Sequence, residues 1–304
     1  MAHDNGKNGS NGTRSFKVLG SRPIRHDGVD KVTGHAKYGA DLALPGMLYA
    51  KILRSPHAHA RILSIDTSKA QIAPGVKSVV TGADFPPPPT GVAESGETPA
   101  DYSDLARNVM AQEKALYHGH AIAAVAATTM RQAEEAARLI SVAYEVLPPV
   151  LDVRDAMKDD SPVLHESMRT KGLQDAPDRP TNIAKYDIQE LGDIDAGFAE
   201  ADVVIEREHI VNTVHQGYIE PHAAVVRASE DGQVNIWASS QGHFMIRELC
   251  AELLHMDTSQ IKVQPAEIGG GFGGKTTVYL EPVGILLSRK ADRPVKLVMT
   301  RDEV

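Results

Sequence analysis

The sequence predicts an α+β fold, and three observations carry that prediction. Short β-type runs recur between turn signals over residues 16–86. A strand–helix–strand pattern occupies residues 121–146. From residue 203 onward, strand-like and helix-like segments surround a loop with five glycines in six residues. The chain has 304 residues, 42% of them hydrophobic and 24% charged. That is ordinary globular composition, long enough for about two domains at roughly 150 residues each.

Tyr49 to Leu53, Ile62 to Ile65 and Val76 to Val80 are expected strands, separated by Pro45-Gly46 and Pro74-Gly75. Pro86 to Pro89 and the polar Gly91 to Ser103 then read as a loop or surface excursion. Ala121 to Ala127 is an apolar, strand-compatible run. Thr129 and Gln132 have capping-box spacing, and Ala133, Ala136, Ala137 and Ile140 share one helical face. Val142 to Val146 follows as a strand and stops at Pro148-Pro149. Residues 16–150 are therefore expected as an α+β domain. Leu151 to Ile194 has little periodicity and is expected as an extended linker.

The second domain, residues 195–304, is expected to open with a strand over Val203 to Val211. Ala223 to Ala228 and Val234 to Ala238 form a hairpin around Asp231-Gly232. A helix over about Gly242 to His255 places Met245, Leu249 and Leu253 on one face. Ile261 to Val263 is a strand entering the glycine loop. Pro282 to Arg289 reads as helix and Val295 to Met299 as strand.

Composition excludes several classes. Lys and Arg total 32 against 40 Asp and Glu, a net charge of -8. That argues against a broad phosphate-binding surface, so nucleic acid is not an expected partner. The longest mostly apolar stretch, Ala121 to Thr129, is about half the ~20 residues a membrane helix needs. A single cysteine, Cys250, cannot form an intrachain disulfide, a four-cysteine zinc site or an iron–sulfur centre. Cys250 lies on the apolar side of its helix and is expected as a small buried hydrophobe. Residues 1–15 are polar, rich in Gly and Asn and without an apolar signal core; they are expected as a disordered tail of a cytoplasmic protein.

The loop Gly269-Gly270-Gly271-Phe272-Gly273-Gly274-Lys275-Thr276 is the strongest local feature. Such loops present backbone N–H groups at close range. Taken alone, the residues allow three readings. Gly269, four residues, then Gly274-Lys275-Thr276 satisfies the phosphate-loop pattern, though about 30 residues follow and Pro282 falls where a helix should already run. Gly269, Gly271 and Gly274 also fit G-x-G-x-x-G, with Asp292 near the required distance but in a turn-like segment. A glycine-rich turn without ligand is the third.

The longer pattern resembles a known family. GGGFGGK followed by Pro282 to Asp302 (PVGILLSRKADRPVKLVMTRD) is similar to the molybdopterin-binding subunit of the xanthine dehydrogenase and aldehyde oxidase family. Gly20 to Asp41 and Pro45 to His59 (PGMLYAKILRSPHAH), with Tyr117 to Ala127 and Ala143 to Pro149, resemble that family's hammerhead-like α+β domain. His215 to His222 (HQGYIEPH) and Trp237 to Gln241 (WASSQ) resemble the first part of its molybdopterin-binding domain.

The resemblance implies an oxidoreductase that hydroxylates a carbon beside a heteroatom, or oxidises an aldehyde, with water-derived oxygen. Its cofactor would be Mo-molybdopterin, with the cytosine dinucleotide form open. Iron–sulfur (2Fe-2S) and FAD centres would sit on partner chains only. The amide of Phe272 would approach an oxygen ligand of molybdenum, with Gly270, Gly271 and Gly273 allowing that approach. Gln241 would reach the same oxygen shell; a bland alternative makes it a helix-start residue. No residue here is expected to bind the metal directly.

Tyr218, Glu220 and His222 alternate as on a strand face, and a packing and hydrogen-bonding role is expected of them rather than catalysis. His57 with His59, and His118 with His120, lack a third ligand at metal-site spacing. Two departures from the family pattern stand out. Thr276 occupies a substrate-side position where purine-oxidising members carry Glu, which leaves N-heteroaromatics, aldehydes or related substrates open. The chain is also far shorter than family subunits, so the general-base Glu is expected outside it. A split subunit or a truncation is therefore expected, inactive alone and needing a second molybdopterin-binding polypeptide, an iron–sulfur subunit and an FAD subunit. An inactive scaffold remnant is the non-enzyme alternative.

Overall fold

The computed structural model describes residues 16–93, 100–172 and 178–304; the expected N-terminal tail lies outside them. The described residues up to Lys37, 16–37, belong to a unit of their own. Their helix, α1 (Gly28–Thr33), buries no side chain and ends at Gly34, whose φ of 77° suits a residue without Cβ.

In the second unit, Tyr38–Val304, the hammerhead-like part begins with β1 (Leu48–Arg54), β2 (Ala60–Asp66), α2 (Ser68–Gln71) and β3 (Val76–Thr81). Two-residue strands β4 (Val92–Ala93) and β5 (Ala100–Asp101) pair with one another. There follow α3 (Tyr102–Val109), β6 (Lys114–Ala115), β7 (Ala121–Ala127), α4 (Met130–Ala137) and β8 (Ser141–Val146). The helix α3 starts inside the stretch expected to be loop. Asp101 accepts the Ser103 N–H at 2.9 Å and supplies the N-cap that makes this short helix possible.

A short helix, α5 (Val153–Ala156), lies within the expected linker, and α6 (Ile194–Glu200) starts at its last residue. Next come β9 (Ala223–Ala228), β10 (Val234–Ala238), α7 (His243–Leu253), β11 (Ile261–Pro265), α8 (Glu281–Ala291) and β12 (Val295–Val298). Val203 to Val211, expected as the opening strand, joins no sheet. Val203, Ile205 and Val211 are 74%, 71% and 86% exposed. A strand needs a partner edge, and none of the described residues offers one there.

Seven strands form one mixed sheet in the order β11-β10-β9-β12-β1-β7-β3. Because β1 pairs in parallel with β12, one ladder joins segments from either side of the linker. A second sheet has the order β6-β2-β8. Helices cover both faces of the large sheet, and the side-chain alternation of β7 records this: Ala124 and Ala126 face one core cluster, Ala123 and Val125 the other. The entire run Ala121–Ala127 is buried, which explains a strand without polar alternation.

On one face, Val283, Ile285 and Leu287 of α8 are fully buried. Each contributes on the order of 1.5–3 kcal/mol relative to exposure. Within that interface Ser288 Oγ accepts the Ala228 N–H at 2.9 Å and donates to the Arg293 carbonyl at 2.7 Å. On the other face, Thr129 caps α4 through the Gln132 N–H as the spacing predicts. Cys250 is fully buried, and burial pushes its thiol well up.

Candidate functional site

Two neighbouring parallel strands build the site. β10 and β11 run side by side, from Val234↔Ile261 to Ala238↔Pro265, so their carboxyl ends open at the same edge. From β10 the chain passes through Ser239 and Ser240 to Gln241; from β11 it enters the glycine loop. Crevices outside the carboxyl ends of strands are the usual ligand positions of open sheets.

Gln241 joins the two segments. Its backbone N–H donates to the Lys275 carbonyl at 3.0 Å. Its side-chain Oε1 accepts the Gly273 N–H at 3.0 Å and the Lys275 N–H at 3.2 Å. With Oε1 held by two donors, the amide's orientation is fixed and Nε2 is left as an outward donor. The residue does not cap α7, whose N-cap is Gly242.

Close approach explains the glycines. A Cβ on Gly271 would lie 2.5 Å from Gln241 Oε1, and one on Gly274 would lie 2.6 Å from the Tyr218 ring. Gly270 and Gly273 have φ of 98° and 90°, the left-handed region that only glycine adopts freely. Phe272 also has positive φ, 50°, and its ring is 73% exposed. The amides of Gly270, Gly271 and Phe272 donate to no acceptor among the described residues. They form a row of free N–H groups beside the Gln241 amide.

Beneath the loop lies a layer that the motifs alone did not reveal. Lys275 Nζ donates to Glu220 Oε2 at 2.8 Å, and the same oxygen accepts the Gly269 N–H at 2.7 Å. The ring of Tyr218 lies 5.1 Å from the Lys275 ammonium, and its hydroxyl is 2.9 Å from His222 Nε2. Arg301 donates to the carbonyls of Tyr218 and Ile219 and so fixes this segment. Tyr218, Glu220 and His222 are not on a strand, contrary to the alternation reading; these loop hydrogen bonds position them. Burial pulls Lys275 below its ordinary pKa while Glu220 pulls it back. Burial, then Lys275, His215 and Arg54, lowers His222 to about 4.

The arrangement excludes the two nucleotide readings. A phosphate-loop lysine must reach outward, whereas the side chain of Lys275 is fully buried against Glu220. α8 begins at Glu281 rather than at the loop, and Asp292 is its left-handed C-cap, not a strand end.

Thr276 stays at the loop, but its Oγ1 donates to the Gly273 carbonyl at 2.9 Å. His57, His59 and His120 make their contacts away from the loop. His59 Nδ1 contacts the Pro148 carbonyl and His57 packs edge-on to Tyr144. His120 accepts the Leu116 N–H and pairs with the Arg107 carbonyl. His118 lines a cavity of about 560 Å3 with Arg54, His222 and Gly274. Among the described residues, no three His, Cys, Asp or Glu side chains converge to hold a metal ion. Nor is any helix among them long and apolar enough to cross a membrane.

The comparisons with known proteins agree with this geometry. Residues 33–148 match the aldehyde oxidase and xanthine dehydrogenase a/b hammerhead domain, and residues 175–304 match the molybdopterin cofactor-binding domain. The nicotinate dehydrogenase large molybdopterin subunit of Eubacterium barkeri is 33% identical over 95% of this chain and 63% of its own length. The carbon monoxide dehydrogenase large chain of Afipia carboxidovorans is 34% identical over 94% of this chain and 35% of its own. The crystal structure of quinoline 2-oxidoreductase from Pseudomonas putida 86 superposes with a TM-score of 0.81 at 29% identity, covering 95% of this chain and 35% of that one. The chain thus spans under two thirds of one relative and about a third of the others. The matches define a chain of α+β architecture in which an a/b hammerhead domain precedes a molybdopterin cofactor-binding domain. It belongs to the xanthine dehydrogenase and aldehyde oxidase family.

Proposed function

We propose that the chain supplies one side of the cofactor cradle in a molybdenum hydroxylase that oxidises an N-heteroaromatic, an aldehyde or a related small molecule. The observation that carries this reading is the fixed Gln241 amide, held through Oε1 by the loop and left with Nε2 to donate. Beside it lie the free N–H groups of Gly270, Gly271 and Phe272. Neutral donors at close range suit the oxygen atoms around a molybdenum centre, because they orient those atoms without adding charge. The loop's donor chemistry fits such a group: Gly271 and Gly274 let the backbone pack closely on Gln241 and Tyr218, and a Cβ on Gly273 would meet nothing within 4 Å, so that side of the loop is open.

Bound Mo-molybdopterin would supply two-electron oxidation with oxygen taken from water. The chain's own residues bind and orient: Gln241 and the Phe272 amide donate, Gly270, Gly271 and Gly273 permit contact, and the Lys275–Glu220 pair anchors the loop from behind. Thr276 is the substrate-side residue. Glu220, the one carboxylate among these, is engaged by Lys275 behind the loop, so the catalytic base is assigned to polypeptide outside these 304 residues. The relatives' greater length supports that assignment.

By the same reading, a second molybdopterin-binding polypeptide, a 2Fe-2S subunit and an FAD subunit complete the enzyme. The test is turnover by the purified 304-residue chain against turnover by the complex assembled with its partners. Activity is expected only in the complex. Turnover by the single chain with stoichiometric molybdenum would overturn the division of labour.

A further inference from the structure

One pair of polar side chains near the loop has no assigned role. His243 and Arg247 lie four residues apart on α7, on one face of the helix. His243 Nε2 and Arg247 Nε are both shielded from solvent, and neither has a hydrogen-bond partner. The guanidinium carbon sits 5.4 Å from the centre of the Phe244 ring, which makes no hydrogen bond to it. A shielded guanidinium N–H without an acceptor is costly, and native structures seldom leave one so.

Both side chains line a groove of about 800 Å3 between α7 and β11. Its walls include Met245, Ile261, Val263 and Pro265, with Lys262 at the lining and no Asp or Glu among the lining residues. Phe244, 80% exposed, also lines it. Gln241 lies in the same lining, so the groove reaches the side chain that orders the glycine loop.

We propose that this groove binds a planar, largely apolar small molecule by its carboxylate, with Arg247 and His243 as the donors. A carboxylate offers two oxygens to the guanidinium fork and can take the His243 N–H as well. The apolar walls and Phe244 suit an aromatic body, which would extend from the carboxylate toward Gln241. Identifying this ligand as the substrate rests on the hydroxylase reading above; the binding does not.

The experiment is calorimetric titration of the cofactor-free 304-residue protein with benzoate, with the neutral isostere benzamide, and with inorganic phosphate. Benzoate is expected to bind about tenfold or more tighter than benzamide, the effect of one charge-assisted hydrogen bond. Arg247→Met should abolish that preference and Arg247→Lys should retain part of it, with unfolding curves confirming that both variants fold. His243→Ala, which leaves the guanidinium in place, should reduce the preference without removing it.

Equal affinity for benzoate and benzamide, or no measurable benzoate binding, overturns the proposal on the wild-type protein alone. So does a preference that survives Arg247→Met. Arg247-dependent binding of phosphate in place of benzoate would also overturn it, giving the groove to a phosphate-bearing ligand. Molybdenum content is measured separately on the tagged complex. A failure of the hydroxylase reading therefore appears there, and a failure of the carboxylate site appears in the titrations.

Discussion

The ammonium of Lys275 lies 2.8 Å from Oε2 of Glu220, and none of the Lys275 side chain reaches solvent. Burying both charges is expensive, and the Gly269 N–H supports the pair at Oε2, while Glu220 Oε1 is shielded without a partner. Glu220 Oε2 also takes the Gly269 N–H, so one carboxylate oxygen ties the first residue of the loop to the lysine that closes it. The backbone of the same lysine holds Gln241. Loop shape and amide orientation thus depend on a single buried contact.

Lys275→Met should leave Glu220 as an uncompensated buried carboxylate and cost about 3–5 kcal/mol. Chemical denaturation of single and double variants checks this. Adding Glu220→Gln to Lys275→Met is expected to recover much of the loss, because it removes the stranded charge. A double variant no more stable than the single would contradict the pairing.

Gly271→Val should expel the Gln241 side chain, since the first added carbon alone falls 2.5 Å from Oε1. The expected outcome is a folded protein that retains no molybdenum. Full occupancy in this variant would remove the loop from the cofactor site.

Stability should fall as the solution is acidified from about pH 6.5 toward pH 4. His222 is held neutral in the fold at a pKa of about 4, against an ordinary value of 6.5, mainly by burial and then by Lys275, His215 and Arg54. The unfolded chain therefore takes up the proton first, and the stability present above pH 6.5 is lost through that window. Over the whole window the loss is on the order of 3 kcal/mol. Melting temperatures of wild type and His222→Asn across pH 7 to 4 read the effect, and the variant's profile should be flatter.

Ser288→Ala separates stability from cofactor binding. The hydroxyl satisfies the Ala228 N–H and the Arg293 carbonyl inside the α8–sheet interface. Its removal should cost about 1–3 kcal/mol by stranding buried polar groups. Molybdenum per folded chain should not change, because neither partner touches the loop.

Much of the fold was legible in the sequence because its signals are local. β1, β7, β10, α4 and α8 announce themselves through apolar runs, helical spacing and caps, and the Asp231-Gly232 turn marks its hairpin. Val203 to Val211 shows the limit: β-branched composition favours a strand, but a ladder needs a neighbour at the right edge. α3 went unread because its apolar positions are few and its cap follows a polar, proline-rich stretch.

At the site, Gln241 and the glycine loop were recognisable as motifs, and the structure brings them together. Glu220 was not paired with Lys275 in advance, since 55 residues separate them and only the folded sheet makes them adjacent. Arg301 likewise meets Tyr218 across 83 residues. His243 and Arg247 carry a helical i, i+4 signal, but the shielding of one unpartnered nitrogen on each cannot be read from spacing.

On the proposed function, this chain holds a molybdenum cofactor through Gln241 and the glycine loop. Elemental mass spectrometry on the complex recovered from its native host, through a tag on this chain, tests it most directly. Close to one molybdenum per chain is expected, falling to background in Gly271→Val. A recovered, folded complex with no molybdenum would contradict it.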